Sequence, residues 1–473
     1  MSLHSALRTP HSAIENQQSK IKDQRLDGTQ PIEPPRLWSH LSINIRRERV
    51  LLILAGLFTL TGFVLLTLVN SQASLFVVNS SLFIVNWSLL IAFLVWIITF
   101  TFIHFHFNKR LPARDPFLLP IAALLTGWGL IEVARLAPSF LLRQVVWLIV
   151  GSVALIAITW SPASLKWLRR YRYTWLLLGL LLLALTFVVG VNPEGQGLRL
   201  WLGGLAGVFF QPSEILKLLF VAFLASYLAE KREIASSLSL HPEQHRIFSL
   251  PYLAPLIAMW AVTLVLLIAQ QDLGTAILLY LAFLVMLYLA SGQARYLLVG
   301  AILLIVAGSI GFAVITRVHS RVSTWIDPWA DAKGSSYQVV QSLIALGSGG
   351  FMGSGLGQGS PDIILPAVHT DMPLAAIGEE FGLIGTLAVV ACFSLLTLRG
   401  LRAALYARTT FAQLFAAGLA TSIGLQAWII MAGNANLAPL TGVTLPFISY
   451  GGSSLLISFL VIGLLAQISA DRD

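Results

Sequence analysis

Residues 297–316 read LLVGAILLIVAGSIGFAVIT, twenty residues without a charge. A bilayer core of about 30 Å is crossed by roughly 20 apolar helical residues, so this stretch predicts a transmembrane helix. Eleven further runs of this kind occur in the chain. The twelve predicted spans lie near 50–70, 81–105, 116–134, 143–160, 174–191, 211–229, 251–269, 272–291, 297–316, 373–398, 411–432 and 449–468.

Composition leads to the same class of protein. Hydrophobic residues make up 57% of the 473 residues and charged residues only 11%. A soluble domain carries about 25% charged residues, so this chain cannot cover a water-facing surface. We therefore predict an all-α polytopic membrane protein with about 12 transmembrane helices. The single cysteine, Cys392, excludes an internal disulfide and a cysteine-cluster metal site.

The basic residues follow the predicted spans. Alternate loops are rich in lysine and arginine, as the positive-inside rule requires of cytoplasmic loops, and an even number of spans places both termini in the cytoplasm. Topology thus explains the net charge of +9 better than binding to nucleic acid, which we do not expect. The basic residues of the predicted inward loops are Lys109, Arg110, Arg114, Lys166, Arg169, Arg170, Arg172, Lys231, Arg232, Arg246, Arg295, Arg399, Arg402 and Arg408. The exceptions, in predicted outward loops, are Arg135, Arg143, Arg199, Arg317, Arg321 and Lys333.

Two long polar segments stand out. Residues 1–49 are rich in Ser, Gln, Pro and charge, which predicts a disordered cytoplasmic tail rather than a signal peptide. Residues near 317–372 form the largest predicted extracytoplasmic loop, and a loop of that length is usually functional. Chemistry there has no access to cytoplasmic ATP, and the chain has no GxxxxGK[ST] loop. We therefore expect no nucleotide cofactor and a substrate that arrives already activated.

The long loop carries two candidate carboxylates. Asp327 and Asp331 lie four residues apart, beside Trp325 and Trp329. Aromatic rings stack on sugars, and a nearby carboxylate can serve as a general base. The alternative is a pair of solvated aspartates beside interfacial tryptophans. Spacing alone favours this alternative.

Two other features of the loop are weaker signals. The run GSGGFMGSGLGQGS is similar to a phosphate-cradling loop, but it follows no predicted strand and lacks the lysine. Its glycines equally suit tight turns and close helix approach. His369 and Asp371 are candidate metal ligands, although a lone histidine is more often structural.

A second cluster is FQPSEILKLLF, in which Pro212 suits the first turn of a helix. Glu214 and Lys217 then lie three residues apart on one face, near the outer end of the sixth span. Charges inside a membrane helix usually pair or line a water-filled cavity. The pair either stabilises the helix end or forms the polar wall of a substrate groove, with Lys217 facing a phosphate. Asp272, in QQDLGTA, is better explained as a helix cap.

Residue chemistry alone does not separate an enzyme from a transporter. The motifs together, however, resemble the shape, elongation, division and sporulation family, which includes RodA, FtsW and SpoVE. They occur in family order and span residues 116–468. The resembling segments are GLRLWL, FQPSEILK, QQDLGTA, DPWADAKGSSYQVVQSLIALGSGG, GSGLG, LPAVHTDMPLAAIGEEFGLIG and PLTGVTLPFISYGGSSL.

The resemblance implies an activity: polymerisation of lipid II, the undecaprenyl-pyrophosphate-linked disaccharide-pentapeptide, into β-1,4 glycan strands. The reaction would take place on the outer face of the bacterial cytoplasmic membrane, with undecaprenyl pyrophosphate as leaving group. The family's essential aspartate matches Asp331 rather than Asp327. The family's cavity and loop motifs match Arg199, Gln211, Pro212, Ser213, Glu214 and Lys217. All of these except Pro212 make up the expected substrate-binding set.

The resemblance also implies an organisation. Residues 116–468 would form a ten-helix polymerase core, preceded by an extra pair of helices at 50–110. Three residues depart from the family pattern: Gln271 replaces a proline, Met372 replaces a phenylalanine, and Leu200 separates the arginine from the tryptophan. None of these departures affects Asp331 or FQPSEILK.

The mechanism follows from the chemistry of the expected substrate. Asp331 would act as general base on the acceptor 4-hydroxyl. Lys217, Arg199 or a divalent cation, Mg²⁺ or Mn²⁺, would neutralise the departing pyrophosphate, with Glu214 orienting Lys217. The resemblance further implies a class B penicillin-binding protein, a transpeptidase, as partner. The alternatives are a lipid II flippase and a non-catalytic scaffold for cell-wall enzymes.

Overall fold

The computed structural model describes residues 37–75, 87–192, 198–204, 209–238, 250–361 and 367–471. Long helices dominate, and a short hairpin precedes the helix that begins with the PSEILK motif. The helices are α1 Leu37–Leu75, α2 Trp87–Arg110, α3 Leu118–Leu136, α4 Leu141–Trp160, α5 Ser164–Arg170, α6 Arg172–Val189, α7 Pro212–Leu238, α8 Leu250–Ala269, α9 Leu273–Ser291, α10 Arg295–Val314, α11 Thr316–Ile326, α12 Tyr337–Ser348, α13 Val368–Asp371, α14 Pro373–Leu405, α15 Thr410–Asn434 and α16 Gly452–Ala470. The hairpin strands are β1 Leu202–Gly203 and β2 Phe209–Phe210, paired antiparallel.

The predicted membrane class is confirmed. Eleven of the described helices are long and apolar enough to cross a bilayer. The remaining predicted span, near 251–269, coincides with α8, of which Ala254–Ala269 is a shorter apolar helix. The chain is therefore a multi-pass membrane protein, and the positions of its spans follow the runs of apolar residues in the sequence.

The first described helix includes the last residues of the predicted tail. Helix α1 begins at Leu37, so the boundary predicted at residue 49 falls inside a helix. Most of the predicted tail, residues 1–36, lies outside the described residues. The basic residues before position 50 belong to the helix itself, because nothing in a run of Arg and Glu breaks helical geometry.

The first two spans pack on the helices that follow them. A Cβ added to Gly127 of α3 would lie within 3.0 Å of Thr59 of α1, so the two backbones approach closely because the glycine lacks a side chain. At one end of the pair, Glu48 Oε1 lies 2.6 Å from His104 Nδ1 and 2.5 Å from Arg114 Nη2. A buried polar network thus joins α1, α2 and the segment before α3.

Burial differs sharply among the spans. Within the most apolar 18 residues of α7, 94% are buried, against 6% in α10. Helix α7, which carries the Glu–Lys motif, therefore occupies the centre of the helix bundle. Helix α10 leaves nearly all of its apolar surface facing outward, where lipid would cover it.

The long predicted loop is built from short helices. Helix α11 leads into a 3₁₀ turn at Pro328–Asp331, and α12 follows before the glycine-rich run. Helix α14 is interrupted at Gly382, whose φ of 65° is a left-handed conformation that favours glycine. The carbonyls freed by this break face the glycine-rich run.

Candidate functional site

The FQPSEILK motif forms a buried ion pair. Pro212 begins α7, so Glu214 and Lys217 lie one turn apart on the same face. Their charged atoms are 2.8 Å apart, and both residues are 5% exposed. Removing one partner of a buried pair leaves an uncompensated charge, which typically costs about 3–5 kcal/mol. The pair is therefore far more consequential than a surface i,i+3 contact.

A second helix completes this cluster. Lys217 Nζ donates to Oε1 of Gln426 on α15 at 2.7 Å, and Gln426 Nε2 donates to the carbonyl of Thr444 at 2.8 Å. The cavity beside the pair has a volume of about 30 Å³ and is also lined by Ser422. That is room for about two water molecules, and not for a sugar phosphate. In this structure Lys217 contacts two protein groups, the carboxylate of Glu214 and the amide of Gln426.

The other residues of the expected binding set divide into two environments. Ser213 is buried and its Oγ has no hydrogen-bond partner among the described residues, while the backbone N–H of Gln211 donates to Ser453 Oγ at 2.8 Å. Arg199 is exposed, next to Trp201, whose backbone pairs with Val191. The structure thus places Gln211 and Ser213 beside the ion pair, whereas the side chain of Arg199 is exposed.

The two aspartates of the long loop have different structural roles. Asp327 caps the 3₁₀ turn, because its Oδ1 accepts from the backbone N–H of Trp329 and of Ala330, both at 3.2 Å. Asp331 ends that turn and is fully exposed. Its Oδ2 accepts from Ser335 twice, from the backbone N–H at 2.7 Å and from Oγ at 3.0 Å. Asp327 therefore holds the turn, and Asp331 presents a carboxylate to the solvent.

Hydrogen bonding sets the protonation state of Asp331. The backbone N–H and then the hydroxyl of Ser335 hold the pKa of this carboxyl below its usual range. The group is therefore ionised at neutral pH and ready to accept a proton. The same hydrogen bonds make it a weaker base than an unbonded carboxylate, so proton transfer has to accompany bond formation.

The glycine-rich run is not arranged as a phosphate cradle. The N–H groups of Ser354 and Gly355 donate to the carbonyls of Glu379 and Glu380, both at 2.9 Å, where α14 is broken. The N–H of Ser360 donates to Oε1 of Glu379 at 2.9 Å. The run, residues 347–360, is called the glycine loop below. Two of its backbone N–H groups thus donate to carbonyls that are left without a helical partner where α14 is interrupted. This structural role explains the many glycines of the loop.

The PLTGVTLPFISYGG segment connects the separate motifs. The carbonyl of Thr441 accepts from Arg321 Nη1 at 2.7 Å, and the carbonyl of Thr444 accepts from Gln426. Further along, Ser449 Oγ donates to the carbonyl of Thr370 at 2.7 Å. This segment therefore ties the buried ion pair, the long loop and the HTD motif together.

A large apolar groove opens beside the long loop. It has a volume of about 900 Å³ and is formed by α8, α9, α10, α11 and residues 439–441. Its lining is almost wholly apolar, and Arg321 is the charged residue in it. Ile326, five residues before Asp331, also lines the groove. We call this feature the apolar groove.

Sequence reasoning missed Arg321 as a functional candidate. In the sequence it stands out only as a basic residue in a predicted outward loop, which is an exception to the positive-inside rule. That exception is the one sequence feature that could have drawn attention to it. Burial lowers the pKa of its guanidinium, and the neighbouring charge of Arg317 lowers it further, although an arginine stays charged. The negative charges of Asp371 and Asp272 act to raise the same pKa.

The remaining candidates take structural positions. Asp272 accepts from Thr275 N–H at 3.1 Å and caps α9, as predicted. His369 stacks on Phe140, with ring centroids 5.4 Å apart. Within the described ranges, no group of three or more His, Cys, Asp or Glu side chains could hold a metal ion. Asp331 is an exposed carboxylate in the long loop, and Mg²⁺ is often held by one or two carboxylates together with substrate phosphates.

Fold and site together define a polytopic membrane protein that presents an exposed carboxylate close, along the chain, to an apolar groove with an arginine in its wall. Comparison with known proteins then identifies the family. The chain belongs to the FtsW/RodA/SpoVE family of cell cycle proteins, whose family model matches residues 122–473.

Curated relatives cover most of the chain. RodA of Mycobacterium tuberculosis, named a peptidoglycan glycosyltransferase, is 36% identical over 388 residues, which are 80% of this chain and 82% of that protein. FtsW of Geobacter sulfurreducens, named a probable peptidoglycan glycosyltransferase, is 34% identical over 376 residues, covering 76% of this chain and 96% of that protein.

Solved structures resemble the same region. A chain of a peptidoglycan synthase complex that coordinates polymerization and crosslinking matches with a TM-score of 0.60 and 27% identity, covering 76% of this chain and 98% of its own. Thermus thermophilus RodA matches with a TM-score of 0.55 and 25% identity, covering 76% of this chain and 97% of its own. The family resemblance noted from the motifs is therefore confirmed.

Proposed function

We propose that this protein is a peptidoglycan glycosyltransferase that polymerises lipid II into β-1,4 glycan strands on the outer face of the cytoplasmic membrane. The names of its relatives support the activity. The observation that carries the substrate class is the apolar groove, about 900 Å³ in volume, with Arg321 in its wall. Such a site suits an amphiphile with a long hydrocarbon tail and an anionic head.

The groove explains how a polyprenyl chain would be held. Its apolar lining replaces lipid contacts around the tail, and α10, one of its walls, is almost wholly exposed along its length. The pyrophosphate would lie at Arg321. The positive charge of Arg317 acts on Arg321. Two guanidinium groups near each other favour a bound anion.

The reaction is a displacement at the anomeric carbon of the growing strand. Asp331 takes the proton from the 4-hydroxyl of the acceptor GlcNAc as its oxygen forms the new glycosidic bond. The bond to the pyrophosphate oxygen breaks, and undecaprenyl pyrophosphate leaves with the electron pair. Arg321 stabilises this leaving group, and exposed Arg199 is a second candidate.

A divalent cation, Mg²⁺ or Mn²⁺, fits the same proposal. Asp331 is the residue that would hold it, and the ion would supply further charge neutralisation to the substrate phosphates. The buried Glu214–Lys217 pair acts indirectly, because it fixes Gln426 and, through that amide, the segment around Thr444. Lys217 is thus a positioning residue in this scheme, rather than a direct phosphate ligand.

The partner we propose is a class B penicillin-binding protein, which would crosslink the strands. The support is the likeness to a chain from a complex that coordinates polymerization and crosslinking. Polymerase activity should rise when the cognate transpeptidase is added. Unchanged activity with every cognate candidate, and no complex on co-purification, would count against this partner.

The decisive experiment incubates the purified protein with lipid II in detergent and follows strand length by gel electrophoresis. Polymer formed by the wild type, and lost in Asp331→Asn, supports the enzyme. In a parallel liposome assay, transport of lipid II without polymer would instead indicate a flippase. Absence of both activities, with cell-wall enzymes still bound, would indicate a scaffold.

A further inference from the structure

A cluster of three charged side chains lies beneath the glycine loop and takes no part in the proposed reaction. Glu132 and Arg135 lie one turn apart on α3, and Glu380 lies on α14. Arg135 Nε donates to Oε1 of Glu380 at 3.0 Å. This contact pairs Arg135 with Glu380. Glu132 is a further acid in the cluster, and Glu379 acts on Glu380 as another like charge.

The carboxyl of Glu132 is buried and forms no salt bridge among the described residues, and the indole of Trp128 is its neighbouring donor. The residue is 2% exposed, and both of its side-chain oxygens lack a hydrogen bond among the described residues. Oε2 of Glu380 and the indole Nε1 of Trp128 are buried and unpaired as well. Ionised and unpaired, Glu132 would be very costly inside a membrane helix, so the group is neutral or is matched by a bound cation.

The groups around Glu132 favour a proton over a larger cation. Charged neighbours that act on it in the described chain are Glu380, a like charge, and Arg135. Where α1 crosses α3, Thr59 faces Gly127 and Gly62 faces Ile131. Two close carboxyls cannot both ionise cheaply beside one arginine.

One added proton completes the hydrogen bonds of the cluster. A protonated carboxyl has one O–H donor and retains an acceptor oxygen. The O–H of Glu132 can donate to Oε2 of Glu380, and the indole N–H of Trp128 can donate to the other oxygen of Glu132. One proton thus offers each of the four atoms a partner within the cluster.

We propose that Glu132 and Glu380 share one proton and form an intramembrane proton-binding site beneath the glycine loop. Nothing in the glycosyl transfer requires this site, which is separate from Asp331 and the apolar groove. It is a second titratable centre, and its ligand is the proton.

The site is mechanically connected to the loop. Arg135 donates from Nε to Glu380 and from Nη2 to the carbonyl of Gly359, the latter at 2.8 Å. When Glu132 loses its proton, a second anion stands one turn from Arg135 and competes for its guanidinium. The contact to Gly359 weakens, so the glycine loop is held more firmly at lower pH than at higher pH.

Dicyclohexylcarbodiimide tests the proton directly, because it modifies protonated carboxyls in apolar surroundings. The purified protein is treated with the reagent and the modified residue is identified by mass spectrometry. We expect labelling at Glu132 and none at Glu214, a similarly buried acid that forms a salt bridge with Lys217. Unlabelled Glu132 would overturn the proposal, and so would protection by Na⁺ or Mg²⁺, which would indicate a cation site.

Two variants test the sharing. Glu132→Gln preserves the shape and one donor of the protonated acid, so it should accumulate in membranes like the wild type and lose the labelling. In Glu380→Gln the like charge that acts on Glu132 is removed and Arg135 loses this contact, so Glu132 should ionise and labelling at Glu132 should disappear. Persistent labelling of Glu132 in Glu380→Gln would contradict a shared proton.

Hydrogen–deuterium exchange tests the link to the loop. Residues 350–360 are compared in wild type and Glu132→Gln at matched pH values, which cancels the intrinsic pH dependence of exchange. The two proteins should exchange alike at low pH, and the wild type should exchange faster as the pH rises. Identical exchange at every pH would disprove the coupling between the site and the glycine loop.

Discussion

Lys217 of α7 donates to Gln426 of α15 at 2.7 Å, and through that amide it reaches the carbonyl of Thr444. A motif at the start of one helix is thus joined to a segment more than 200 residues further along the chain. The Glu214–Lys217 pair, buried at the centre of the bundle, therefore determines where the PLTGVTLPF segment lies. That segment in turn holds Arg321 at the apolar groove.

The first prediction concerns this pair. Lys217→Met should abolish polymerisation and also destabilise the protein, because it leaves Glu214 as an unpaired buried charge at a cost of about 3–5 kcal/mol. The double variant Glu214→Gln with Lys217→Met removes both charges and should recover membrane abundance. Polymerisation of lipid II and abundance by immunoblot are measured for both.

The double variant separates positioning from folding. It should remain inactive even though it is folded, since Gln426 no longer has its ammonium donor. Its melting temperature should lie closer to the wild type than that of the single variant. Full activity in the folded double variant would show that the pair serves only to stabilise α7.

The sequence predicted the ion pair but not its partner. An i,i+3 spacing after a helix-initiating proline places Glu214 and Lys217 together whatever the tertiary fold is, and runs of apolar residues locate the spans in the same local way. Gln426 could not be found like this, because its contact depends on how α7 and α15 pack. The surface-type strength of about 0.2–0.5 kcal/mol that spacing alone suggests is also too low, since burial cannot be read from spacing.

The glycine loop and Arg321 show the same limit. Glycines signal special backbone geometry, but which carbonyls they meet depends on the break at Gly382, which the pattern of α14 does not reveal. Arg321 was visible as a basic residue in a predicted outward loop. Its position on a groove formed by four helices required the packed structure.

The second prediction concerns Arg321. Arg321→Gln should reduce polymerisation by weakening the hold on the pyrophosphate, while Arg295→Gln, an exposed change at the start of α10, should have little effect. A guanidinium bonded to a phosphate contributes more than a neutral hydrogen bond, so we expect at least a tenfold loss, or about 1.4 kcal/mol. Lipid II titrations should show the loss mainly in KM, and an unchanged KM would argue against pyrophosphate contact.

The third prediction tests the orientation inferred from alternating basic loops. In a background with Cys392 replaced by alanine, cysteine is introduced at exposed Lys333 or at exposed Ala294. An impermeant thiol reagent added to intact cells should label the first and not the second. Reversed labelling would place the long loop in the cytoplasm and would remove the basis for an extracytoplasmic reaction.

The fourth prediction uses the hydrogen bonds that lower the pKa of Asp331. Activity requires the carboxylate, so it should fall as the pH drops through that lowered pKa. Ser335→Ala removes the hydroxyl donor and retains the backbone donor, which raises the pKa part of the way toward its usual range. The acid limb of the rate profile should therefore move to higher pH, whereas Ser348→Ala, whose hydroxyl donates to Ala345 within α12, should leave it in place.

The last prediction separates the two aspartates of the long loop. Asp331→Asn preserves shape and most hydrogen bonding but cannot accept a proton, so a general-base role predicts a loss of roughly 10²–10⁴ in rate. Asp327→Asn should retain most activity, because asparagine caps helices nearly as well as aspartate. Asp327→Ala removes the two cap hydrogen bonds and should lower stability by about 1 kcal/mol.

These three variants together assign the roles. If Asp331 is the base, its asparagine variant remains folded, still binds lipid II and makes no polymer, and rate is lost without a change in melting temperature. If the turn alone matters, Asp327→Ala is the most damaging change, because it releases the N–H groups that fix the 3₁₀ turn. Near wild-type polymerisation by Asp331→Asn would exclude the mechanism, because the other carboxylate of this turn, Asp327, is engaged in capping it.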